Sequence, residues 1–533
     1  MRKEYRLLYL LALLKLILPF LIQDPAWEPH RDEFLYLGEG RHMAWGFMEI
    51  PPVLSVFAWL TNLFGGGMFW IKFWPSLLGA GTYILMGRLI LSFGGRWFAL
   101  VLGLLPFVFG AYLRMFFLFQ PNSPEIFFWT LMAYGLIRHV QTGQPRGLYI
   151  AGIAMGLGMM SKYSAAFYAA SLLGGLLLTK ERRVFFNRHF YFALAIGLVI
   201  FLPNLIWQYV HGFPVVYHMK ELQRTQLQYI GPGAFLIDQV LMYLPCFFVA
   251  VAGLIWAGFS REGRPYRWIS WAYLLVILLL LAGHGKSYYS AGAYPVLFAF
   301  GALGLERWTT GRLLFWRYVM MAVTAFLGYT YVTIALPWLP PARLAAYYAK
   351  TGVARKTGSL RWEDQQDHPL PQDFADMLSW KEMTQKVAKA YSLLDSAEKA
   401  HTFLFCDNYG EAGAVNYYGP RYHLPPVYSD NASFLYWMPD NFYQFNTLLL
   451  VTDDKAEMQH AFIREFASVT LVDSITTPYA REAGSLIILM KGPSPTFRKA
   501  FRDKIDRDKH KTTAAGATSP ESPNALEKGG TLH

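Results

Sequence analysis

Asp32 and Glu33 stand side by side in the polar stretch Trp27–Pro52, WEPHRDEFLYLGEGRHMAWGFMEIPP, with Tyr36 one helical turn on and Glu49 ahead of the rigid pair Pro51-Pro52. A carboxylate in such a stretch can accept the proton of an attacking hydroxyl. Cations recur further along the chain: Arg114 in RMFFLFQPNSPE, Lys162 in GLGMMSKYSAA and Lys286 in HGKSYYSAGAYP. Gathered together, they would cradle an anionic group such as a lipid phosphate or pyrophosphate. Tyr36, Glu49, Asn122, His211, Tyr288 and Tyr289 are the polar and aromatic groups expected to line the substrate, with Glu49 and the proline pair also shaping the loop. One acid with several cations suits group transfer from a lipid-linked phosphate. The donor already carries a good leaving group, so no second carboxylate need act as general acid, in contrast to glycoside hydrolysis. The plainer alternatives are a solvated loop with a helix-capping acid, and lysines that anchor span ends. No tight histidine cluster with metal-ligand spacing stands out, so no metal ligands are assigned; no cofactor is certain, and a divalent metal is left open without support from the sequence.

Elements that could position these groups follow from composition. The chain has 533 residues, 54% hydrophobic, 17% aromatic and 16% charged, well short of the roughly 25% charge of soluble domains. A membrane class is indicated. The net charge of +12 then reports basic loops rather than nucleic acid as a partner. Cys246 and Cys406 fall in different parts of the chain, and no disulfide is expected between them. A membrane span needs about 20 apolar residues. The candidates are Leu7–Ile22, Met68–Leu91, Trp97–Leu113, Ile126–Ile137, Leu148–Met160, Ala165–Leu178, Phe190–Trp207, Ala234–Phe259, Trp268–Ala282, Ala291–Leu305 and Leu313–Leu336, about eleven in all. The first reads as a retained signal-anchor, since no small-residue cleavage site follows it. Lys15 within it is a structural or lipid-facing oddity.

Orientation comes from the basic residues. Arg2, Lys3 and Arg6, then Arg96, Arg138, Arg146, Lys180, Arg188, Arg264 and Arg312, fall at alternate loops. The positive-inside rule makes that face cytoplasmic, with the N-terminus on it. The stretch holding Asp32, and the loops with Arg114, Lys162, His211 and Lys286, then share the outer face of the cell membrane. So does everything after Pro337.

Beyond Leu336 the composition changes. Residues 1–336 read as an α-helical polytopic unit and 337–495 as an extracytoplasmic α/β domain with strands at Thr402–Cys406, Thr447–Thr452, Ser468–Val472 and Ser485–Met490. Residues 496–533 read as a disordered basic tail.

These residues also carry a family resemblance. DEFLYLGEGRHMAWGFMEIPPVLSVFAWLTNLFGG resembles the first external loop of the dolichyl-phosphate-mannose-protein mannosyltransferase-like glycosyltransferases, a group that includes the lipid A aminoarabinose transferases. The likeness continues in QPNSPEIFFW, GLGMMSKYSAAF, FLPNLIWQYVHGF and GKSYYSAGAYPVLFAFGALGLE, and more weakly in NYGEAGAVNYYG. It implies a GT-C fold, a polyprenyl-phosphate sugar donor and inverting transfer to a glycolipid, protein or polysaccharide acceptor. Asp32 matches the family's catalytic aspartate and Glu33 its neighbouring acid. Lys162, and Lys286 with Tyr288 and Tyr289, match the stretches near the donor phosphate. The chain departs from the pattern at Asn122, where relatives often have aspartate, and at Ile50, where the lipid A branch carries lysine. The second departure argues against aminoarabinose as the sugar. The rival reading is a transporter or flippase for a lipid-linked anion. That class places charge near the bilayer midplane within paired repeats, and neither feature is present here.

Overall fold

The computed structural model describes residues 2–513. Each apolar stretch read from the sequence is helical. Two are broken: Trp97–Leu113 falls into Trp97–Val108 and Tyr112–Met115, and Ala234–Phe259 into Pro232–Leu241 and Phe247–Phe259, parted by a turn that ends at Pro245-Cys246. Pro245 lacks the N–H that a continuous helix would need there. Among the described residues, α1 (Arg2–Ile22), Arg188–Val210, Arg264–Ala282 and Gly311–Ala335 are long and apolar enough to cross a membrane. Two short helices, α2 (Arg31–Glu39) and α3 (Val53–Leu63), follow α1 and precede the long α4 (Met68–Ser92).

The helical core is built around Tyr294–Trp308, which is buried along nearly its whole length. Small residues permit the close approach of neighbours: a Cβ on Gly301 would lie 1.8 Å from the Val249 carbonyl oxygen. Backbone proximity of this kind is how helices associate where no hydrophobic drive separates side chain from lipid. Lys15 turns into this bundle rather than toward lipid, with its Nζ 5.5 Å from the centroid of the Phe116 ring.

The later part of the chain holds one sheet of five strands: β1 (Thr402–Cys406), β2 (Val427–Tyr428), β3 (Thr447–Thr452), β4 (Phe466–Ser474) and β5 (Leu486–Pro493), in the order β2-β1-β3-β5-β4. β1 is parallel to β2 and β3, while β5 is antiparallel to β3 and β4. Both faces are covered, which is why β1 and β3 read as unbroken apolar runs. Phe403, Phe405, Leu448 and Leu450 face Phe497, Phe501 and Ile505 of a helix at Pro495–Lys511. That helix corrects the expected disordered tail. Its apolar side repeats at four-residue spacing and packs on the sheet, so only residues 514–533 of the tail lie outside the described structure.

The opposite face decides how the site is held. Leu404, Cys406, Leu449 and Ile487 share one core with Trp380 and Val415, and also with Phe34, Leu37, Leu54 and Ala58 of α2 and α3. The sheet is therefore packed directly on the stretch that carries Asp32. Cys246 belongs to the separate core of the helical bundle.

Candidate active site

α2 starts where His30 caps it. The His30 Nδ1 accepts from the Asp32 N–H at 3.1 Å, and the Glu33 carboxylate accepts from the His30 N–H at 2.9 Å, a reciprocal capping box. Successive residues of a helix point about 100° apart, so the two adjacent acids go to different places. Glu33 turns inward, fully buried, where its oxygens accept from Lys72 Nζ at 2.5 and 2.7 Å and from the Phe119 N–H at 2.7 Å. It is a saturated structural acid, which corrects its expected catalytic role.

Asp32 turns outward, with 31% of its side chain exposed. The Tyr409 hydroxyl donates to its Oδ1 at 2.7 Å, and the Gln120 amide donates to its Oδ2 at 3.0 Å. Burial pushes the Asp32 carboxyl up, but His30, the Tyr409 hydroxyl, Arg31 and Gln120 together hold it below the ordinary aspartate value. Each oxygen keeps a free lone pair. A held, ionised and reachable carboxylate of this kind can take a proton from a hydroxyl brought to it. Tyr409 comes from the first turn of the helix Tyr409–Tyr418, after β1, and neither it nor Gln120 was singled out in the sequence. The signal in the sequence was that Tyr409 lies in NYGEAG and Gln120 in QPNSPE, both family-like stretches.

Four of the expected phosphate- and substrate-binding residues, Lys162, Asn122, Tyr288 and Tyr289, do come together. Lys162 Nζ donates to Asn122 Oδ1 at 3.0 Å and to Glu125 Oε2 at 3.1 Å, and lies 4.2 and 5.3 Å from the ring centroids of Tyr289 and Tyr288. Glu125 also accepts from the Ser164 hydroxyl. The charge of Lys162 is thus already matched by a carboxylate. Lys286 has no such ion pair among the described residues. Burial lowers its ammonium and Lys162 acts the same way, while Glu363 and Asp32 raise it, which places Lys286 within the field of both the base and Lys162.

Other expectations need correction. Arg114 does not join Lys162; it pairs with Asp373 and lies over the Phe374 ring. His211 stays on its own helix end, stacked on Trp207 at 4.2 Å with Nδ1 on the Trp207 carbonyl at 2.8 Å. It takes no part in the site. Glu49 accepts from Ser433 Oγ at 2.6 Å, and burial raises its carboxyl. Tyr36 is buried beside Asp32, Glu39, Tyr409 and Glu49; burial first, then those charges, raise its phenol far above the ordinary value. Both belong to the frame under the base.

Beside the cap of α2 lies a cavity of about 560 Å³ lined by Arg114, Arg361, Trp362, Glu363, Gln372 and Asp373. Its wall reaches His30, whose Nε2 lies 3.8 Å from both Asp373 Oδ1 and Asp376 Oδ2. These are metal-ligand types at close quarters. The cap decides against that use. Because Nδ1 accepts the Asp32 N–H, the ring proton sits on Nε2, which faces the carboxylates as a donor and has no lone pair to give.

Residues 49–207 match the family described as dolichyl-phosphate-mannose-protein mannosyltransferase. The chain is 25% identical over 271 residues to the lipid A galacturonosyltransferase RgtD of Rhizobium johnstonii, an alignment covering 47% of this chain and 54% of that one. It is 36% identical over 86 residues to the lipopolysaccharide core galacturonosyltransferase RgtB of the same organism, covering 16% of each. The chain thus spans about half the length of the first relative and less of the second. Among solved structures, ArnT from Cupriavidus metallidurans in the apo state superimposes with a TM-score of 0.60 at 11% identity, covering 91% of this chain and 97% of that one. The same protein bound to undecaprenyl phosphate gives 0.59 at 12% identity, with the same coverage. The fold is that of the GT-C membrane proteins.

Proposed function

We propose that this GT-C membrane protein, similar in sequence to lipid A-modifying transferases, moves a sugar from a polyprenyl-phosphate donor to an acceptor hydroxyl or phosphate of a glycolipid, protein or polysaccharide. The carrying observation is Asp32: a partly exposed, ionised carboxylate held by donors from separate elements and within the field of Lys286. Asp32 takes the acceptor proton as the acceptor oxygen attacks the anomeric carbon. The bond from that carbon to the phosphate oxygen breaks on the opposite face, so the configuration inverts and polyprenyl phosphate leaves. Lys286 stabilises the departing phosphate, with Lys162 held close by on Glu125 and the Tyr288 and Tyr289 rings. Where the acceptor is itself a phosphate no proton need move, and Asp32 acts by orientation alone.

The sugar is a hexose or pentose, and the named relatives favour a hexuronosyl group. The helices are read as about eleven crossings, with the N-terminus in the cytoplasm and the sheet outside. The transporter alternative finds no supporting feature. In membranes supplied with radiolabelled polyprenyl-phosphate galacturonic acid and lipid A, the wild-type chain should transfer label and Asp32→Asn should not. Equal transfer by a normally inserted Asp32→Asn would overturn the assignment. Transfer only from a neutral sugar donor would overturn the uronosyl reading alone.

A further inference from the structure

A second set of chemistry-bearing residues lies in the sheet domain and takes no part in the mechanism. β3 ends at Thr452, and the chain then turns sharply as far as His460. Thr452 Oγ1 accepts from the Asp454 N–H at 3.1 Å, and Asp454 Oδ1 accepts from the Ala456 N–H at 2.7 Å. The N–H groups of Glu457 and His460 return to the carbonyls of Asp454 and Glu457 at 3.2 and 3.1 Å. Three side chains spaced three apart are thereby aimed at one point. Asp454 Oδ2 lies 2.6 Å from His460 Nε2, Glu457 Oε2 lies 3.9 Å from the same nitrogen, and the three atoms fall within 4.8 Å of one another.

Glu457 is only 4% exposed, and its Oε2 has no hydrogen-bond partner. A buried carboxylate oxygen left unpaired is costly, and 3.9 Å is too far for a hydrogen bond. The separation is close to that of two ligands on one ion. Bonds of 2.0–2.2 Å in a tetrahedral arrangement place ligand atoms about 3.4 Å apart. The histidine also differs from His30. No bond engages His460 Nδ1 among the described residues, so that nitrogen can carry the ring proton and leave the Nε2 lone pair free. Asp407 and Asp453 follow directly on the neighbouring parallel strands β1 and β3 and add negative charge around the point.

We infer that Asp454, Glu457 and His460 form a divalent transition-metal site, with zinc as the class of ion their two carboxylates and one imidazole suit. The ion takes the place of the proton between His460 and Asp454, and any proton on the imidazole leaves to solvent. Water completes the coordination from the open side, where the His460 and Asp454 side chains are 31% and 28% exposed. The bound ion ties the end of β3 to the segment Ala461–Glu465 that leads into β4. The D-x-x-E-x-x-H spacing is present in the sequence, but with a single histidine it does not stand out as a histidine cluster.

The test uses the purified full chain in detergent, stripped with EDTA and titrated with zinc chloride alone, with bound metal counted by mass spectrometry and unfolding followed by heating. One zinc per chain and a higher Tm are expected. Glu457→Gln and His460→Gln should each weaken binding about tenfold or more and lose the Tm rise. Asp373→Asn, at the other acidic cluster, should keep both. Should His460→Gln fail to fold, Glu457→Gln together with the visible spectrum of the cobalt-loaded wild type provides the same reading. No zinc on the wild type, undiminished zinc on Glu457→Gln, or loss confined to Asp373→Asn would each overturn the assignment.

Discussion

At the scale of single residues, the environment of Asp32 predicts two distinct phenotypes. Asp32→Asn removes the proton acceptor and should lower turnover by about 10²–10⁴-fold with the protein still inserted, measured as labelled product per mole of protein. Tyr409→Phe removes one donor that favours the ionised form. Asp32 is active when ionised, so activity falls as pH drops through its folded pKa. Losing the Tyr409 hydroxyl raises that pKa, and the acidic limb of kcat/KM should move up by about one pH unit. Tyr417→Phe, which removes a comparable bond from Tyr417 to the Gly66 carbonyl at 2.6 Å but touches no catalytic group, should leave the limb in place. Asp32 was legible in the sequence because an acid in an outer loop of a membrane protein has few other uses. Tyr409 was not, because 377 residues separate it from its partner and only the folded chain brings them together. Glu33 was misread because sequence adjacency hides the rotation between neighbours on a helix. One meets Tyr409 and Gln120 and the other faces Lys72.

At the scale of elements, α2 stands on buried polar bonds as well as apolar contacts. Glu33→Gln would leave the Lys72 ammonium buried without its charge partner, at a cost of about 3–5 kcal/mol, seen as a lower unfolding temperature in detergent. The double change Glu33→Gln, Lys72→Met should recover part of that loss, which a catalytic role for Glu33 would not allow. The helix Trp380–Ser392 shows the same dependence on charge. Burial pushes the Glu382 carboxyl up, but Lys386, Thr476 and Thr477 together hold it down to about 2. A depressed carboxylate contributes stability above its ordinary value of 4.5 that is lost as pH falls toward 2. Acid should therefore loosen the Thr476–Thr477 segment first, and Glu382→Gln should remove that acid sensitivity in hydrogen exchange. Helices and strands were legible because apolar runs and their lengths report burial. The helix Pro495–Lys511 was missed because its charged side dominates the composition, while three apolar residues, Phe497, Phe501 and Ile505, suffice to dock it.

At the scale of the molecule, the division at about residue 337 is less complete than composition suggested. The core on the sheet's inner face, formed with the helices Trp380–Ser392 and Tyr409–Tyr418, is not closed within the domain: Phe34, Leu54 and Ala58 complete it, and Arg41 donates to the Asn416 carbonyl at 2.9 Å across the same junction. Residues 341–513 expressed alone should expose that face and aggregate, whereas co-expression with residues 1–340 should restore a soluble complex in detergent, read by size-exclusion chromatography. A reporter fused after Thr513 should be active outside the cytoplasm, and cytoplasmic activity would mean a miscounted crossing.

The shared core also sets an order in time. Asp32 leaves the ribosome with the first few dozen residues, but the hydroxyl that holds its Oδ1 and the aromatic ring of Trp380 that packs on Phe34 at 5.5 Å are made only near the end of synthesis. A chain interrupted anywhere before the sheet carries the acid without the parts that fix it. Half-made molecules in the membrane are therefore idle, and the first productive encounter with donor lipid waits until the later part of the chain has folded back onto the beginning.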